Sequence, residues 1–176
     1  MTSTIKVDTI QTAAGGTPTA ADLGLNVSGS VLQTVRNSYA TTTLINSTSF
    51  LDTGLSVSIT PSSTSSKVLV TFIPNILMQG AHDHGMGFRV DRDISGSVTY
   101  PYQDTNPYDR YFWDGDTTTN FQWQGTSVTN ILDTPSTTSA ITYKLYARAH
   151  RTDYSNQTRV SDNNSISVVI AQEIAG

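Results

Sequence analysis

The side chains able to do chemistry in this sequence are few, and none forms a recognisable catalytic motif. A serine hydrolase needs a histidine beside its nucleophile, often within a Gly-x-Ser-x-Gly string. The chain has three histidines, His82, His84 and His150, and lacks that string. It also has no cysteine, which removes thiolate nucleophiles, disulfides and most structural zinc sites. We therefore predict no catalytic residues and no enzyme.

Carboxylates leave one enzymatic alternative open. A glycosidase needs two facing acids, and six aspartates cluster in the middle of the chain: Asp91, Asp93, Asp104, Asp109, Asp114 and Asp116. Polar loops also use Asp to form turns, so solvated loops are the favoured interpretation. A glycan-degrading enzyme remains an alternative hypothesis.

Two segments could hold a metal ion. His82 and His84 are two residues apart, so on a strand their imidazoles point the same way, and a threefold axis would bring six together. The neighbouring Gly80, Gly85 and Gly87 indicate a mobile loop instead. The stretch 114–120 places oxygen ligands at alternate positions but lacks the glycine and distal glutamate of a calcium loop. No cofactor is predicted, apart from this candidate axial metal ion.

An aromatic cluster between residues 100 and 113 is the best binding candidate. The residues that we predict to contact a receptor or partner are Tyr100, Tyr102, Asp104, Tyr108, Arg110 and Tyr111. Aromatic faces beside amides and carboxylates suit sugar rings or a protein partner. The alternative is that these rings cap the domain or fill a subunit interface, which we favour for Phe112 and Trp113.

The elements that must position these residues are strands. Of 176 residues, 28 are Thr and 21 are Ser, and Thr suits a half-buried pleated surface. Apolar residues alternate in short runs bounded by turn residues, and no window holds an amphipathic helix. Eight strands are predicted, near residues 31–35, 51–60, 67–74, 85–90, 97–100, 120–132, 141–149 and 165–174. The fold class is all-β, an antiparallel β-sandwich of jelly-roll type.

A turn sequence that occurs twice in the chain indicates a domain built from two similar halves. Thr60-Pro61-Ser62-Ser63-Thr64 is matched by Thr134-Pro135-Ser136-Thr137-Thr138, and each string precedes a strong strand. Two equivalent corners are expected of two interleaved Greek keys. Chance repetition in a Ser/Thr-rich chain is the alternative.

Residues 1–29 read as an extended arm ahead of a head domain formed by residues 30–176. Ile5, Val7 and Ile10 belong to a short strand of imperfect period two, and the arm has too few apolar residues to bury itself. No heptad pattern continues, so a coiled-coil stalk is excluded. We predict that the arm attaches the protein to another surface and helps it to form a trimer.

Charge limits the partners further. The net charge is −4 and the basic residues are scattered, so the chain lacks the basic stripe that nucleic acid requires. No apolar run approaches membrane-spanning length, and no signal peptide is evident. Neither nucleic acid nor membrane is an expected partner, and release from the cytosol by cell lysis fits the sequence.

Both ends of the chain and parts of its body resemble small structural proteins of marine and cyanobacterial tailed phages. The resemblance lies in 3–11 with Gly15 and Gly16, in 54–70, in Asp133-Thr134-Pro135 with 141–144, and in 172–176. It implies a trimeric β-rich module on the particle surface, attached to other virion proteins through the arm. Similar phage fibres and spikes use His-x-His to bind a metal. Residues 82–125 match no such pattern, so an individual binding specificity would lie there.

Three functions compete at this point. The resemblance implies a virion location and a tail-fibre or receptor-binding module, with a host surface glycan or protein as a further partner. A capsid decoration protein is the alternative, and the glycan-degrading tail enzyme is the third. Copy number per particle separates the first two.

Overall fold

The computed structural model describes residues 9–18, 23, 28–113, 121–154 and 156–176 of the chain. Within these ranges the regular structure is all β, apart from one 3₁₀ turn at Asp162–Asn164. The strands are β1 Val31–Tyr39, β2 Thr43–Ile45, β3 Leu51–Ile59, β4 Lys67–Ile73, β5 Asn75–Gly80, β6 His84–Ile94, β7 Ser97–Gln103, β8 Tyr111–Trp113, β9 Phe121–Thr126, β10 Thr129–Asp133, β11 Ile141–Ala149, β12 Gln157–Val160 and β13 Ser167–Ile174. The predicted all-β fold class is confirmed.

The described strands form eight passes of the chain, which is the number that the sequence predicts. Five of these passes contain two strands separated by a bend or a loop. The first sheet has the order β1-β13-β4-β10, and the same four passes continue as β2-β12-β5-β9. Pro74 divides β4 from β5, where its missing N–H breaks the ladder. The second sheet has the order β3-β11-β6-β7, with β8 also pairing with β6.

Counted as passes, the orders are first–eighth–third–sixth and second–seventh–fourth–fifth. Neighbouring passes in each sheet are antiparallel. Each connection between consecutive passes crosses from one sheet to the other, except the connection between the fourth and fifth passes. This arrangement is a jelly roll. The two Pro-Ser-Thr strings are the equivalent crossings, because one joins β3 to β4 and the other joins β10 to β11. Both lie at the same end of the sandwich, since Ile59 pairs with Ile141 and Val68 pairs with Asp133.

The core lies between the inner faces of the two sheets. Its fully buried members include Leu55, Val70, Phe72, Phe88, Val90, Tyr143, Leu145 and Val169. They alternate with outward residues along their strands, as a two-layer packing requires. The strand pattern in the sequence therefore determines which face of each strand is buried.

Two buried carboxylates hold the corner end together. Glu173 accepts hydrogen bonds from the Ser62 backbone N–H and hydroxyl and from Ser66, at 2.7 Å each, and from Gln33 at 2.6 Å. Burial alone would raise the pKa of Glu173, but these donors lower it to about 2. Each donor favours the charged form, so Glu173 fixes the loop between β3 and β4.

The second carboxylate, Asp133, links the two sheets. It lies on β10 of the first sheet, while its partners Arg92 and Tyr143 lie on β6 and β11 of the second. Arg92 Nη1 donates at 2.9 and 3.0 Å, and the Tyr143 hydroxyl donates at 2.7 Å. Burial and this hydrogen bond raise the pKa of Tyr143. The interior at this end of the sandwich thus contains polar side chains that form hydrogen bonds with one another.

The sandwich is closed along the seam between β1 and β3. Asn37 Nδ2 donates to the Ser56 carbonyl at 2.9 Å, and Gln33 Nε2 donates to the Thr60 carbonyl at 2.7 Å. These side chains satisfy carbonyls on the free edge of β3. Two strand edges that would otherwise be open to another chain therefore cover each other.

At the predicted boundary between arm and head, the chain is hydrogen-bonded to its own C-terminal segment. The Gly29 N–H donates to Ala175 O and the Ala175 N–H donates to Ser30 O, both at 2.8 Å. Ile10 of the arm is 53% exposed, while Ile5 and Val7 lie outside the described residues. In the described ranges no helix is long and apolar enough to cross a bilayer.

Candidate binding surfaces

The structure divides the predicted aromatic cluster into three groups with different environments. The first group is Tyr102, Asp104 and Arg110, which form a half-buried network against β6. Asp104 is 4% exposed and accepts from the Phe88 N–H at 2.6 Å and from Arg110 Nε at 2.7 Å. The Tyr102 hydroxyl donates to Asp104 and accepts from Arg110.

This network positions the chain after β7. Burial and the hydrogen bond to Asp104 raise the pKa of Tyr102 to about 12, so its hydroxyl is a donor throughout the physiological range. The Asp104 carboxylate is paired with Arg110 and has little contact with solvent. These three predicted binding residues therefore hold the loop in place, and little of them is left to contact a partner.

Two glycines allow that loop to cross β6 closely. A Cβ on Gly87 would lie 2.8 Å from the Asn106 carbonyl, and a Cβ on Gly85 would lie 2.7 Å from Tyr108 Cβ and from the Tyr111 carbonyl. The sequence interpretation of this glycine-rich stretch as a loop applies only to residues 81–83, between β5 and β6. Gly85 and Gly87 lie inside β6, where they make room for the backbone of the loop.

The second group is Tyr108 and Tyr111. They lie near the end of the sandwich that is opposite the two proline corners, which we call the loop end. Tyr108 is 41% exposed and meets His150 edge to face, with ring centroids 5.4 Å apart. Tyr111 stacks on Trp123 with centroids 4.5 Å apart and planes 22° apart. Tyr108 thus presents a ring to solvent, whereas Tyr111 mainly covers the start of β9.

The third group contains Tyr100 and side chains that the sequence interpretation missed. Tyr100 is 56% exposed on the outer face of the second sheet. Its ring lies 4.3 Å from the guanidinium carbon of Arg89, which also lies 4.9 Å from the Phe50 ring and 4.8 Å from the Tyr146 ring. The Arg148 guanidinium lies 4.7 Å from the same Phe50 ring. We call these five residues, Phe50, Arg89, Tyr100, Tyr146 and Arg148, the aromatic–arginine face.

Each arginine of this face is fixed by hydrogen bonds. Arg89 forms a bidentate pair with Asp91, Nε to Oδ1 at 2.6 Å and Nη2 to Oδ2 at 3.0 Å. Arg148 Nη2 donates to the carbonyls of Thr105 at 2.9 Å and Asp104 at 3.3 Å. Stacked guanidinium groups and rings attract each other, so the face is ordered before any ligand arrives.

A sequence signal for this face exists in the alternation of β11. Ile141, Tyr143, Leu145 and Ala147 point inward, so Tyr146 and Arg148 must point outward with Lys144. The pairing of Tyr146 with Arg89 across the sheet cannot be derived from that alternation, because it requires the register between β6 and β11.

All three histidines lie at the loop end. His84 is fully buried, and its Nε2 hydrogen-bonds to the Thr158 hydroxyl at 2.9 Å. His82 lies against the Tyr154 ring at 3.9 Å between centroids, and His150 Nδ1 lies 3.7 Å from Asp83. His84 points into the core while His82 contacts a surface ring, so the expectation that both imidazoles point the same way is wrong.

That geometry bears on the predicted metal ion. His84 is enclosed within its own chain, and no group of three or more metal-binding side chains occurs in the part of the single chain that the structure describes. A metal site shared between three chains stays a prediction. The calcium-like stretch 114–120 lies outside the described residues. Burial lowers the pKa of His84 to about 4, so the imidazole is neutral at physiological pH.

A shallow cleft opens beside these histidines. Its volume is about 450 Å³, and its lining residues are Thr48, Asp83, His150, Arg151, Thr152 and Asp153. Arg151 joins the two loops that form it, donating to Asp83 and to Asp153 at 2.6 and 3.1 Å. The hydrogen bond from Arg151 lowers the pKa of Asp153. One guanidinium thus pairs with both carboxylates of this cleft.

The described central aspartates all have partners in the chain itself. Asp91 pairs with Arg89 and Asp104 with Arg110. Asp93 accepts from the Gly96 N–H at 2.7 Å, and Asp109 accepts from the Asn106 N–H at 2.8 Å. Asp114 and Asp116 lie outside the described residues. The four described carboxylates thus serve turns and ion pairs.

Comparisons with known proteins give structural likenesses at low similarity. No protein-family model and no curated protein sequence matches the chain. Among solved structures, the chain is similar to the infectious bursal disease virus VP2 subviral particle, with a TM-score of 0.40 and 14% identity over 84% of this chain. A structure of the Gx strain of the same virus gives 0.36 and 14% over 84%. The chain spans about a third of the length of these chains, 34% in each case.

Proposed function

We propose that this protein is a structural protein of a virus particle, exposed on the particle surface. The observation that carries the proposal is the strand order, which defines an eight-pass jelly roll, an architecture common among viral capsid and lectin domains. The sequence resemblance to tailed-phage structural proteins supports the same assignment. Fold alone does not specify function, so the surfaces must supply the finer assignment.

The finer proposal is a homotrimeric tail-fibre or receptor-binding module of a tailed phage. The outer face of the second sheet supports it, because an ordered set of rings and guanidinium groups projects there into solvent. A receptor-binding protein requires such a surface on the side away from its attachment. A capsid decoration protein requires only that its head project from the shell, so that function does not explain the ordered rings and guanidinium groups on this face.

The outer face of the first sheet supports association between copies. Along β4 and β13, Leu69, Ile73, Val168, Ile170 and Ile174 alternate with the core residues and are half-buried on the opposite side. Leu132 on β10 extends this surface and is 59% exposed. Strands that are apolar on both faces are typical of strands covered on both sides. We propose that further copies of the chain cover this face in a trimer.

Localisation on purified particles tests the proposal. We expect quantitative mass spectrometry of the virus to find the protein, and antibody labelling in electron micrographs to place it at the tail. A few dozen copies per particle would support the tail-fibre assignment, whereas hundreds distributed over the shell would assign capsid decoration. Absence of the protein from purified particles would overturn the structural role itself.

The arm has its own test. We expect deletion of residues 1–12 to leave a folded head that no longer joins particles, because the strands that the structure describes all lie between Val31 and Ile174. Circular dichroism would check folding, and immunoblotting of purified particles would measure incorporation. Unchanged incorporation of the shortened protein would show that attachment uses another part of the chain.

A further inference from the structure

We propose that the aromatic–arginine face binds a saccharide, with the C–H face of a pyranose ring lying on the Tyr100 and Tyr146 side. The inference rests on the proposed surface function and adds the class of ligand to it. It differs from the sequence prediction in its residues, since four of the five members of the face were not predicted.

The first argument is that the side chains of this face are held in place before any ligand binds. Arg89 is fixed to Asp91 by two hydrogen bonds and lies within 4.9 Å of three ring centroids. The rings are therefore held before binding, so a ligand that stacks on them pays little for immobilising side chains. Tyr100 is 56% exposed, which leaves much of its surface available to that ligand.

The second argument is the set of unused polar groups around the rings. Among the described residues, neither the Tyr100 nor the Tyr146 hydroxyl forms a hydrogen bond, and Arg148 donates only through Nη2. Arg148 Nη1 and the two hydroxyls thus remain to bond sugar hydroxyl groups. Aromatic surface with a few oriented polar groups is the composition of a ligand site.

The third argument concerns the choice between a saccharide and a protein. Protein hot spots are well-packed, desolvated pockets. None of these five residues lines the cleft at Asp83 and Arg151, or the second cleft, which lies between Leu32, the 62–66 loop and Gly176. The five residues of the aromatic–arginine face include no aliphatic side chain. Their outward neighbours on the sheet include the hydroxyl residues Ser56, Ser58 and Thr142 and one aliphatic residue, Val98, which pairs with Asp93 and is 48% exposed. The apolar surface suited to a protein lies on the other sheet, at Leu69 and Leu132.

The charges allow either a neutral or an acidic sugar. Asp91 neutralises Arg89, and Lys144 lies 3.7 Å from Asp52. Arg148 has no carboxylate partner among the described residues, which leaves a single positive charge on the face. A neutral ring would use the hydrogen bonds alone, whereas a uronic acid would also use this charge.

Native affinity electrophoresis tests the inference with the full-length protein. The gels would contain dextran or mannan as neutral probes, or alginate or polygalacturonate as carboxylated probes. We expect retardation by at least one probe and a loss of apparent affinity of tenfold or more in Tyr100→Ala. Retardation by the carboxylated probes alone, weakened in Arg148→Gln, would identify the acidic class.

Tyr154→Ala is the matched control, because Tyr154 is 53% exposed and its ring lies 4.7 Å from the Arg151 guanidinium, away from this face. Tyr100→Phe keeps the ring if the alanine variant fails to fold, and should lose less than tenfold in affinity, because only the hydroxyl is removed. Wild-type migration unchanged by all four polysaccharides, or equal losses in Tyr100→Ala and Tyr154→Ala, would overturn the inference. Particle localisation tests the structural role separately, so either proposal can fail without the other.

Discussion

At the scale of single residues, the stability of this protein depends on polar side chains buried with partners. Glu173, Asp133 and His84 are all nearly excluded from water, and such groups are costly unless they are hydrogen-bonded. The two carboxylates at the corner end each accept several hydrogen bonds. His84 at the loop end is instead stabilised in its neutral form.

The buried histidine makes stability depend on pH. Burial lowers the pKa of His84 from its ordinary 6.5 to about 4, so the folded state favours the neutral imidazole. Its contribution is therefore complete above pH 6.5 and is lost as the pH falls toward 4, by roughly 3 kcal/mol in all. We expect the free energy of unfolding, measured by urea titration, to decline through this window.

A variant isolates the contribution of this residue. His84→Gln keeps a polar group near Thr158 and should flatten the decline between pH 6.5 and 4.5, even if it lowers stability at neutral pH. His82→Gln, at the surface, is the control and should keep the wild-type slope. If both variants follow the wild-type pH profile, His84 is not the group that titrates.

At the scale of elements, the irregular positions matter as much as the regular strands. In β3 the register shifts opposite Lys144 and Tyr146, and Gly54 in this irregularity has φ +80°. The Thr53 hydroxyl donates a hydrogen bond to the Leu145 carbonyl at 2.7 Å, so this carbonyl has a partner despite the register shift. The irregularity lets the Tyr39 ring cover the backbone of β3 at the seam.

Gly54 should therefore resist substitution. A Cβ at this position would lie 2.4 Å from Tyr39 Cζ, whereas Gly96, at φ +86°, has nothing within 4 Å of its Cβ position. We expect Gly96→Ala to cost about 1 kcal/mol through backbone strain alone. Gly54→Ala should cost about 2 kcal/mol more, because it adds overpacking. Thermal and urea unfolding of the two variants measure the difference, and equal losses would contradict the role given to Tyr39.

At the scale of the whole molecule, the two outer sheet faces differ in character. The first sheet presents aliphatic side chains along β4, β13 and β10, whereas the second presents rings, guanidinium groups and hydroxyls. A two-layer sandwich separates these faces by its own thickness, so one side can serve assembly while the other meets solvent. This division is the basis of the proposed trimeric surface module.

Assembly through the first sheet is tested at Leu69, which lies between Gln172 and Leu132 in the register of that sheet. We expect Leu69→Lys to convert trimers to monomers, because a charge would be placed in the contact, with little change in the fold. Ser58→Lys on the outer face of the second sheet is the matched control and should remain trimeric. Light scattering after gel filtration measures the mass, and a monomeric wild type or a trimeric Leu69→Lys would contradict the assignment.

Much of the fold was predictable because its signals are local. Alternation in stretches such as 141–149 predicts which side of a strand is buried, and Pro61 and Pro135 mark the crossings between sheets. The aromatic cluster was only partly predictable, since neighbours in sequence there separate in space. Tyr100 points outward, Tyr102 points inward, and Tyr111 lies against Trp123.

The sequence by itself thus determined an all-β sandwich of eight passes, because side-chain period and turn chemistry act over a few residues. It also indicated two equivalent corners, and strand pairing decided between this interpretation and chance repetition. Only the tertiary structure decided that Phe50, Arg89, Tyr100 and Tyr146 meet on one face. They come from the segment before β3 and from strands β6, β7 and β11, and pairing register brings them together. Register is set by the ladders as a whole, and the local pattern of one strand does not contain it.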